Sequence, residues 1–152
     1  MGLFDAMDVS ASGLTSERLR MDTIAANLAN ANTTRGADGT AYRRREVVTR
    51  ELTGTESAAA GRTFASFGDF SGVVNAPGGV EVVEITDDPT PGRTVYDPGH
   101  PDADPRGYVQ MPNVNPVTEM VDLITATRSY EASTTAINAI KQEFTRALDV
   151  LR

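Results

Sequence analysis

The feature that most constrains this chain is its last stretch, Pro116 to Arg152, which contains no glycine and no proline after its first residue. Pro116 suits the first helical position, where its missing N–H is one that a helix start leaves unpaired anyway, and Asn115 before it can cap. Glu119 and Asp122 in the early turns and Arg146 and Arg152 near the end complement the helix dipole. Leu123, Tyr130, Ile137, Phe144 and Leu151 recur in steps of seven, and Met120, Ile140, Ala147 and Leu148 broaden that stripe. Such a repeat is the seam of a helix that packs along another helix. At 1.5 Å per residue the helix is roughly 54 Å long. A core this small cannot enclose it, so it needs a partner.

The other end of the chain supplies one. Between residues 3 and 31, Met7, Leu14, Met21 and Leu28 also step by seven, with Phe4, Ala11, Ile24, Ala25 and Ala31 alongside. Gly13 is the weak point, at about 1 kcal/mol relative to alanine. Asn30, Asn32, Thr33, Thr34 and Gly36 supply the stop. The expected fold is α+β and elongated, with long N- and C-terminal helices packed as a coiled-coil-like pair and a small β-rich insert between them. The segments are 1–35, 36–115 and 116–152.

Both helices carry an unusual surface. Thr23–Thr34 and Ala132–Ile140 hold no charged residue, whereas a helix with one face in water normally carries charges there. Small and amide side chains all round imply contact on every side. Two helices cannot bury each other completely, so neighbouring subunits are expected to surround them. A free, water-soluble helical hairpin with a polar face of Ser, Thr and Asn is the other arrangement these residues allow.

The middle reads as strands and turns. Ala41–Leu52 and Val80–Ile85 alternate as strands, and Thr94–Tyr96 is a third. The triplet Arg43, Arg44, Arg45 suits a solvated strand edge or an acidic partner. Gly54–Gly79 holds six of the thirteen glycines and reads as a mobile loop, with Phe64, Phe67 and Phe70 as anchors onto the small lobe or, as the alternative, as contacts on a neighbour. All eight prolines lie between Pro77 and Pro116, so the turn-rich region ends where the last helix begins.

Charge and composition remove whole classes of function. Between Asp69 and Asp104 eight acidic residues stand against one basic, Arg93, while the remaining thirteen acids and thirteen bases cancel. Nucleic-acid binding requires clustered positive charge and is not expected. Cysteine is absent, which removes disulfides, thiolate metal sites and thiol nucleophiles together. No apolar run has membrane-spanning length, and the first residues lack the basic-then-apolar plan of a cleaved secretory signal. His100, Asp102 and Asp104 alternate and could converge on a cation, but a turn with side chains bonding its own backbone fits them better. Asp97, Asp102 and Asp104 leave a carboxylate hydrolase open on spacing alone. A Pro/Gly-rich acidic loop makes a poor pocket wall, however. No catalytic, cofactor-binding or metal-ligating residue is expected.

Two blocks then carry a resemblance. SASGLTSERLRMDTIAANLANANTTRGADGTAYRRREVV and VYDPGHPDADPRGYVQMPNVNPVTEMVDLITATRSYEAS resemble the FlgC family of bacterial flagellar basal-body rod proteins, subunits of the proximal rod. The LANANT segment is shared by rod and hook proteins generally, whereas DPGHPDAD followed by GYVQMPNVNPVTEMVDLI is more specific. The resemblance implies a structural role: export through the flagellar type III export apparatus without a cleaved signal, then assembly into a helical tube in the periplasm that transmits motor torque. It implies terminal helices in the inner layer of the tube and the β-rich middle outside. The assembly interface would fall on Met7, Leu14, Met21 and Leu28, on Leu123, Tyr130, Ile137 and Phe144, and on the polar residues Asn27, Asn30 and Asn32. Neighbours would be other rod proteins, further copies of the chain and a small adaptor joining the rod to the MS ring. Direct membrane insertion is not implied. Lack of cysteine suits a chain that crosses a narrow channel unfolded and enters an oxidising compartment.

Overall fold

The computed structural model describes residues 3–36, 38–52 and 78–150. The elements follow in the order α1 (Leu3–Ala29), β1 (Arg45–Leu52), β2 (Gly79–Asp87), β3 (Thr94–Tyr96), β4 (Tyr108–Gln110) and α2 (Pro116–Val150). Strand β1 pairs with β2, and β3 with β4, each as a two-stranded sheet. The expected α+β composition therefore holds: a long helix at each end and a small β insert between. Apart from Gly78 and Gly79, the glycine-rich segment with Phe64, Phe67 and Phe70 lies outside the described residues, as does Leu151.

Local chemistry sets the helix ends. The Asn115 side chain accepts from Val117 N–H at 3.1 Å and its carbonyl accepts from Glu119 N–H at 3.0 Å, so the cap expected before Pro116 is formed. At the other helix the Asn30 amide donates to the Ala26 carbonyl at 2.9 Å, and Thr33 N–H bonds the Asn30 carbonyl at 3.0 Å. These bonds close α1 where the amide-rich cluster predicts. The chain then turns back, with Gly36 N–H on the Thr40 carbonyl and Tyr42 N–H on the Thr33 carbonyl. That turn takes up residues expected to begin a strand at Ala41, and β1 starts at Arg45 instead.

The chain forms two compact units, and each long helix contributes to both. In the first, built among described residues from 3–18, 49–52, 78–83 and 128–150, Gly13 of α1 faces Ser133 of α2. Ser12 Oγ accepts from Val80 N–H at 3.1 Å, and Gly78 N–H bonds the Leu52 carbonyl at 2.9 Å. Arg50 and Glu81 pair across β1 and β2 at 3.1 Å.

The second unit, residues 19–48 and 84–127, holds the buried apolar residues Ile24, Ala31, Val109, Val114 and Ala126. Here Thr127 of α2 touches Met21 of α1, its hydroxyl 3.6 Å from the Met21 sulfur. Strand β4 was not anticipated. Its three residues between Gly107 and Pro112 are too few to show alternation. It pairs antiparallel with β3, Val95 opposite Val109 and Tyr96 opposite Tyr108, and the two tyrosine rings meet edge to face at 5.2 Å. Gly107 adopts a φ of +81°, and a Cβ there would come within 2.9 Å of the Tyr96 ring.

Among the described glycines Gly92 makes the tightest backbone approach, since a Cβ at this position would overlap the Met111 carbonyl oxygen. Met111 N–H in turn bonds the Arg93 carbonyl at 2.8 Å, so the strand cannot withdraw without losing that bond. Gly92→Ala should therefore destabilise the second unit by about 2 kcal/mol, the ordinary cost of overpacking. Thermal unfolding followed by circular dichroism measures it, and an unchanged midpoint would mean the two segments separate freely.

Candidate functional site

The most deeply buried polar groups of the second unit are Asn27 near the end of α1 and Glu119 near the start of α2, each 1% exposed. Asn27 uses its full hydrogen-bonding capacity. Its amide nitrogen donates to the Arg45 carbonyl at 2.8 Å and to Glu119 Oε2 at 3.1 Å. Its oxygen accepts from Arg45 N–H and from the Tyr42 hydroxyl, both at 2.9 Å. The other Glu119 oxygen accepts from Arg44 Nε at 2.6 Å. Arg44 also lies 3.7 Å from Glu46 and 3.6 Å from Asp122, and its N–H bonds the Asn113 side chain at 2.7 Å. Two helices and the entry to β1 are thereby clamped by one network.

Electrostatics follow from that geometry. The hydrogen bond from Arg44 to Glu119 holds the guanidinium above its ordinary value, against the opposing effect of burial. Burial pushes the Tyr42 phenol up. A charged carboxylate at 1% exposure is costly to desolvate, and only a short, charge-assisted bond with further hydrogen bonds offsets the cost.

Sequence reasoning missed this clamp. The arginine triplet reads as solvated, yet Arg44 turns inward while Arg43 stays exposed and Arg45 reaches Asp87 at 3.6 Å with its guanidinium over the Tyr42 ring. Glu119 reads as a dipole partner for its helix, but it lies on the same helical face as Leu123, Ala126 and Tyr130. That placement, an acid on the apolar stripe, was the available signal.

The acidic turn has its own arrangement. Asp97 accepts from Gly99 N–H at 3.1 Å, and Asp104 accepts from Arg106 and Tyr108 N–H at 2.9 Å each. The His100 ring accepts from Asp102 N–H at 3.1 Å. These are turns whose side chains bond their own backbone. Asp102 instead reaches back to the residues after α1, accepting from the Thr34 hydroxyl at 2.7 Å and from Arg35 at 3.4 Å. The Thr34 bond, more than Arg35, holds the Asp102 carboxyl below its ordinary value.

The residues expected at an assembly interface fall into three groups. Met7, Leu14, Met21 and Leu28 on α1 and Leu123, Tyr130 and Ile137 on α2 are half-buried, as is Asn30. Asn27 is buried in the clamp described above. Asn32 and Phe144 are exposed. One reading of the stripe needs correction. Met120, grouped with the core seam, lies outside it, because each residue turns the helix by about 100° and the buried position is Glu119. Met120 instead joins Val117, Val121 and Ile124 in an apolar ridge on the outer face of α2, the four between 51% and 70% exposed. The helix hydroxyls are largely satisfied within their own helices. Ser10, Thr15 and Thr23 on α1 and Thr125, Thr127, Thr134, Thr135 and Thr145 on α2 all donate to the carbonyl four residues back.

No helix among the described residues is long and apolar enough to cross a membrane. Residues 7–37 match the family described as flagella basal body rod protein, and residues 106–150 match the C-terminal family of flagellar basal body rod FlgEFG proteins. Over nearly the whole length the chain is similar to flagellar basal-body rod proteins FlgC. Identity is 44% with that of Bacillus subtilis, covering 99% of both chains. It is 42% with that of Borreliella burgdorferi, covering 100% of this chain and 99% of the other. With that of Escherichia coli O6:H1 it is 37%, covering 97% of both.

Two outcomes test the site. Arg44→Ala, which leaves Glu119 buried without its cation, should cost about 3–5 kcal/mol in denaturant unfolding. Glu119→Gln should cost less, because it strands no buried charge: its one amide oxygen still accepts from Arg44, which keeps Asp122 beside it, and only the bond from Asn27 is lost. Equal, small losses would show that the pair is solvated in solution. Separately, the Asp102 carboxyl is depressed, so its bond to Thr34 stabilises the fold fully above the unfolded value near 3.8 and loses that contribution as pH falls through the lower folded value. Thr34→Val should move the Asp102 titration upward, read by carbon NMR of the carboxyl group. An unmoved titration would exclude Thr34 as the cause.

Proposed function

The chain belongs to the FlgC family and is a structural subunit of the flagellar basal-body rod, not an enzyme; from this premise we propose that its two terminal helices build the rod wall. The observation that carries the reading is where the family matches fall. They cover most of α1 and all of α2 as described, and neither reaches β1, β2 or β3. The matched pieces thus coincide with the two long helices, the elements a common lattice would use. The β insert is free to differ and would lie on the outside.

The helix surfaces suit that role. A hydroxyl already bonded to its own helix leaves little unmet hydrogen bonding when a neighbour covers it, so uncharged Ser/Thr-rich faces are cheap to desolvate. The ridge of Val117, Met120, Val121 and Ile124 supplies apolar area that the single chain leaves in water. The interface residues of this reading are Met7, Leu14, Met21, Leu28, Leu123, Tyr130, Ile137 and Phe144, with Asn30 and Asn32 as polar contacts. Asn27 acts from within, by fixing the end of α1 against α2.

In this reading the chain leaves the cytoplasm through the flagellar type III export apparatus and joins the proximal rod in the periplasm. There it packs with other rod proteins and its own copies, with an adaptor linking the rod to the MS ring. The assembled tube carries torque outward and encloses part of the export channel.

Deleting the coding sequence in the source bacterium should abolish swimming and hook formation, and the wild-type chain should restore both. The restored protein should be recovered in purified hook–basal bodies. Full motility in the deletion strain, or recovery only from the soluble fraction, would overturn the reading.

A further inference from the structure

The short sheet of β3 and β4 keeps its aromatic face in water. Val95 and Val109 stand opposite each other, and Val109 is buried, so their face turns toward the core of the second unit. Alternation sends Tyr96 and Tyr108 to the other face, where they are 64% and 45% exposed. Neither ring is loosely held. Tyr96 packs over Gly107, where a Cβ would also stand 3.2 Å from Pro98. Asp104 accepts from Tyr108 N–H through its carboxylate and donates its own N–H to the Tyr108 carbonyl, both at 2.9 Å. An exposed aromatic pair fixed in this way loses little freedom when a partner docks on it.

The charges around this face select the partner. Residues 94–108 carry three carboxylates, Asp97, Asp102 and Asp104, against one guanidinium, Arg106. Asp102 is engaged by Thr34 and Arg35. Asp97, which follows Tyr96, and Asp104, which holds Tyr108, are exposed. Each bonds backbone N–H through one oxygen, and among the described residues neither enters an ion pair. Arg106 is itself exposed and pairs with neither of them, and the cation that lies over a ring is Arg45 on Tyr42. The described residues therefore leave both the tyrosine face and its two carboxylates open.

We propose that this face binds arginine side chains of an extended peptide segment on a partner protein. A guanidinium is planar and weakly hydrated, so it lies flat on a tyrosine ring and turns its N–H groups to a carboxylate at the edge. Lysine brings a compact, strongly hydrated charge that meets the carboxylate but covers the ring poorly. An apolar partner would cover the rings yet draw Asp97 and Asp104 out of water with no cation to meet them. The site stands on the β insert alone and does not rest on the reading of the terminal helices.

The four tyrosines of the chain supply the readout. Full-length protein labelled at tyrosine is titrated with the peptide acetyl-Gly-Arg-Gly-Arg-Gly-amide and followed by NMR of the ring signals. Those of Tyr96 and Tyr108 should move saturably, while those of the half-buried Tyr42 and Tyr130 stay in place. Replacing both peptide arginines by citrulline removes the charge and keeps the shape, and should abolish the response. Asp104→Asn, whose amide oxygen still accepts from Arg106 and Tyr108 N–H, should weaken binding about fivefold, and Tyr96→Leu about threefold. No movement, an equal response to the citrulline peptide, equal movement of all four tyrosines, or an affinity indifferent to Asp104→Asn would each overturn the inference. A chain recovered in basal bodies whose Tyr96 and Tyr108 ignore the arginine peptide would keep its place in the rod and lose this site.

Discussion

The rest of the second unit depends on one buried ion pair and the amide that shares it. Glu119 is almost wholly excluded from solvent, yet it is held by Arg44 at 2.6 Å and by Asn27 at 3.1 Å. Removing water from that carboxylate is unfavourable in itself, and the arrangement is tolerable only because each oxygen has a partner in place. This makes the network intolerant of approximate geometry. Asn27 must sit where its oxygen meets Arg45 N–H and the Tyr42 hydroxyl while its nitrogen meets Glu119. An apolar contact could slide by a turn; this one cannot. The clamp thus sets the register between the end of α1, the entry to β1 and the start of α2.

Fixing that register has consequences at the surface. With Glu119 inward, helical geometry sends Val117, Val121 and Ile124 outward and Met120 to their flank. With Asn27 inward, it sends Ala25 and Ala29 outward on the other helix. The ridge on α2 and the exposed alanines of α1 are thus consequences of where the polar residues are buried. Few apolar side chains are fully buried in this unit, so polar bonds take a share of positioning that a larger core would otherwise carry. Most hydroxyls of the two helices bond carbonyls of their own helix, which leaves them little unmet hydrogen bonding when a neighbouring helix covers them.

Much of the local structure was legible along the chain. The amide cluster Asn30–Thr34 stops α1, Asn115 with Pro116 starts α2, and Thr94–Tyr96 forms β3. Each depends on neighbours a few residues away. Strand β4 was not legible, because three residues carry no period and their pairing is set by β3 at a distance. The start of β1 shifted from Ala41 to Arg45 because Tyr42 N–H is engaged by Thr33, which also lies outside any strand pattern. Of the heptad residues, Met7, Leu14, Met21, Leu28, Leu123, Tyr130 and Ile137 are half-buried, while Phe144 and, beside the repeat, Met120 are exposed. The clamp was hidden because Arg44 and Glu119 are separated by 75 residues and Asn27 and Glu119 by 92.

By itself, then, the sequence determined the α+β class, the two long helices, their caps and stops, the cysteine-free chemistry and the family. All of these rest on short-range periodicity, capping and composition, or on motifs that can be compared directly. Only the tertiary structure decided that Arg44 faces inward, that Asn27 and Glu119 share one buried network, and that an apolar ridge is left exposed on α2. The physical reason is that burial of a charge depends on which partner the fold brings within hydrogen-bond distance. An arginine in a basic triplet and a glutamate in a first helical turn look solvated until the chain places them 2.6 Å apart.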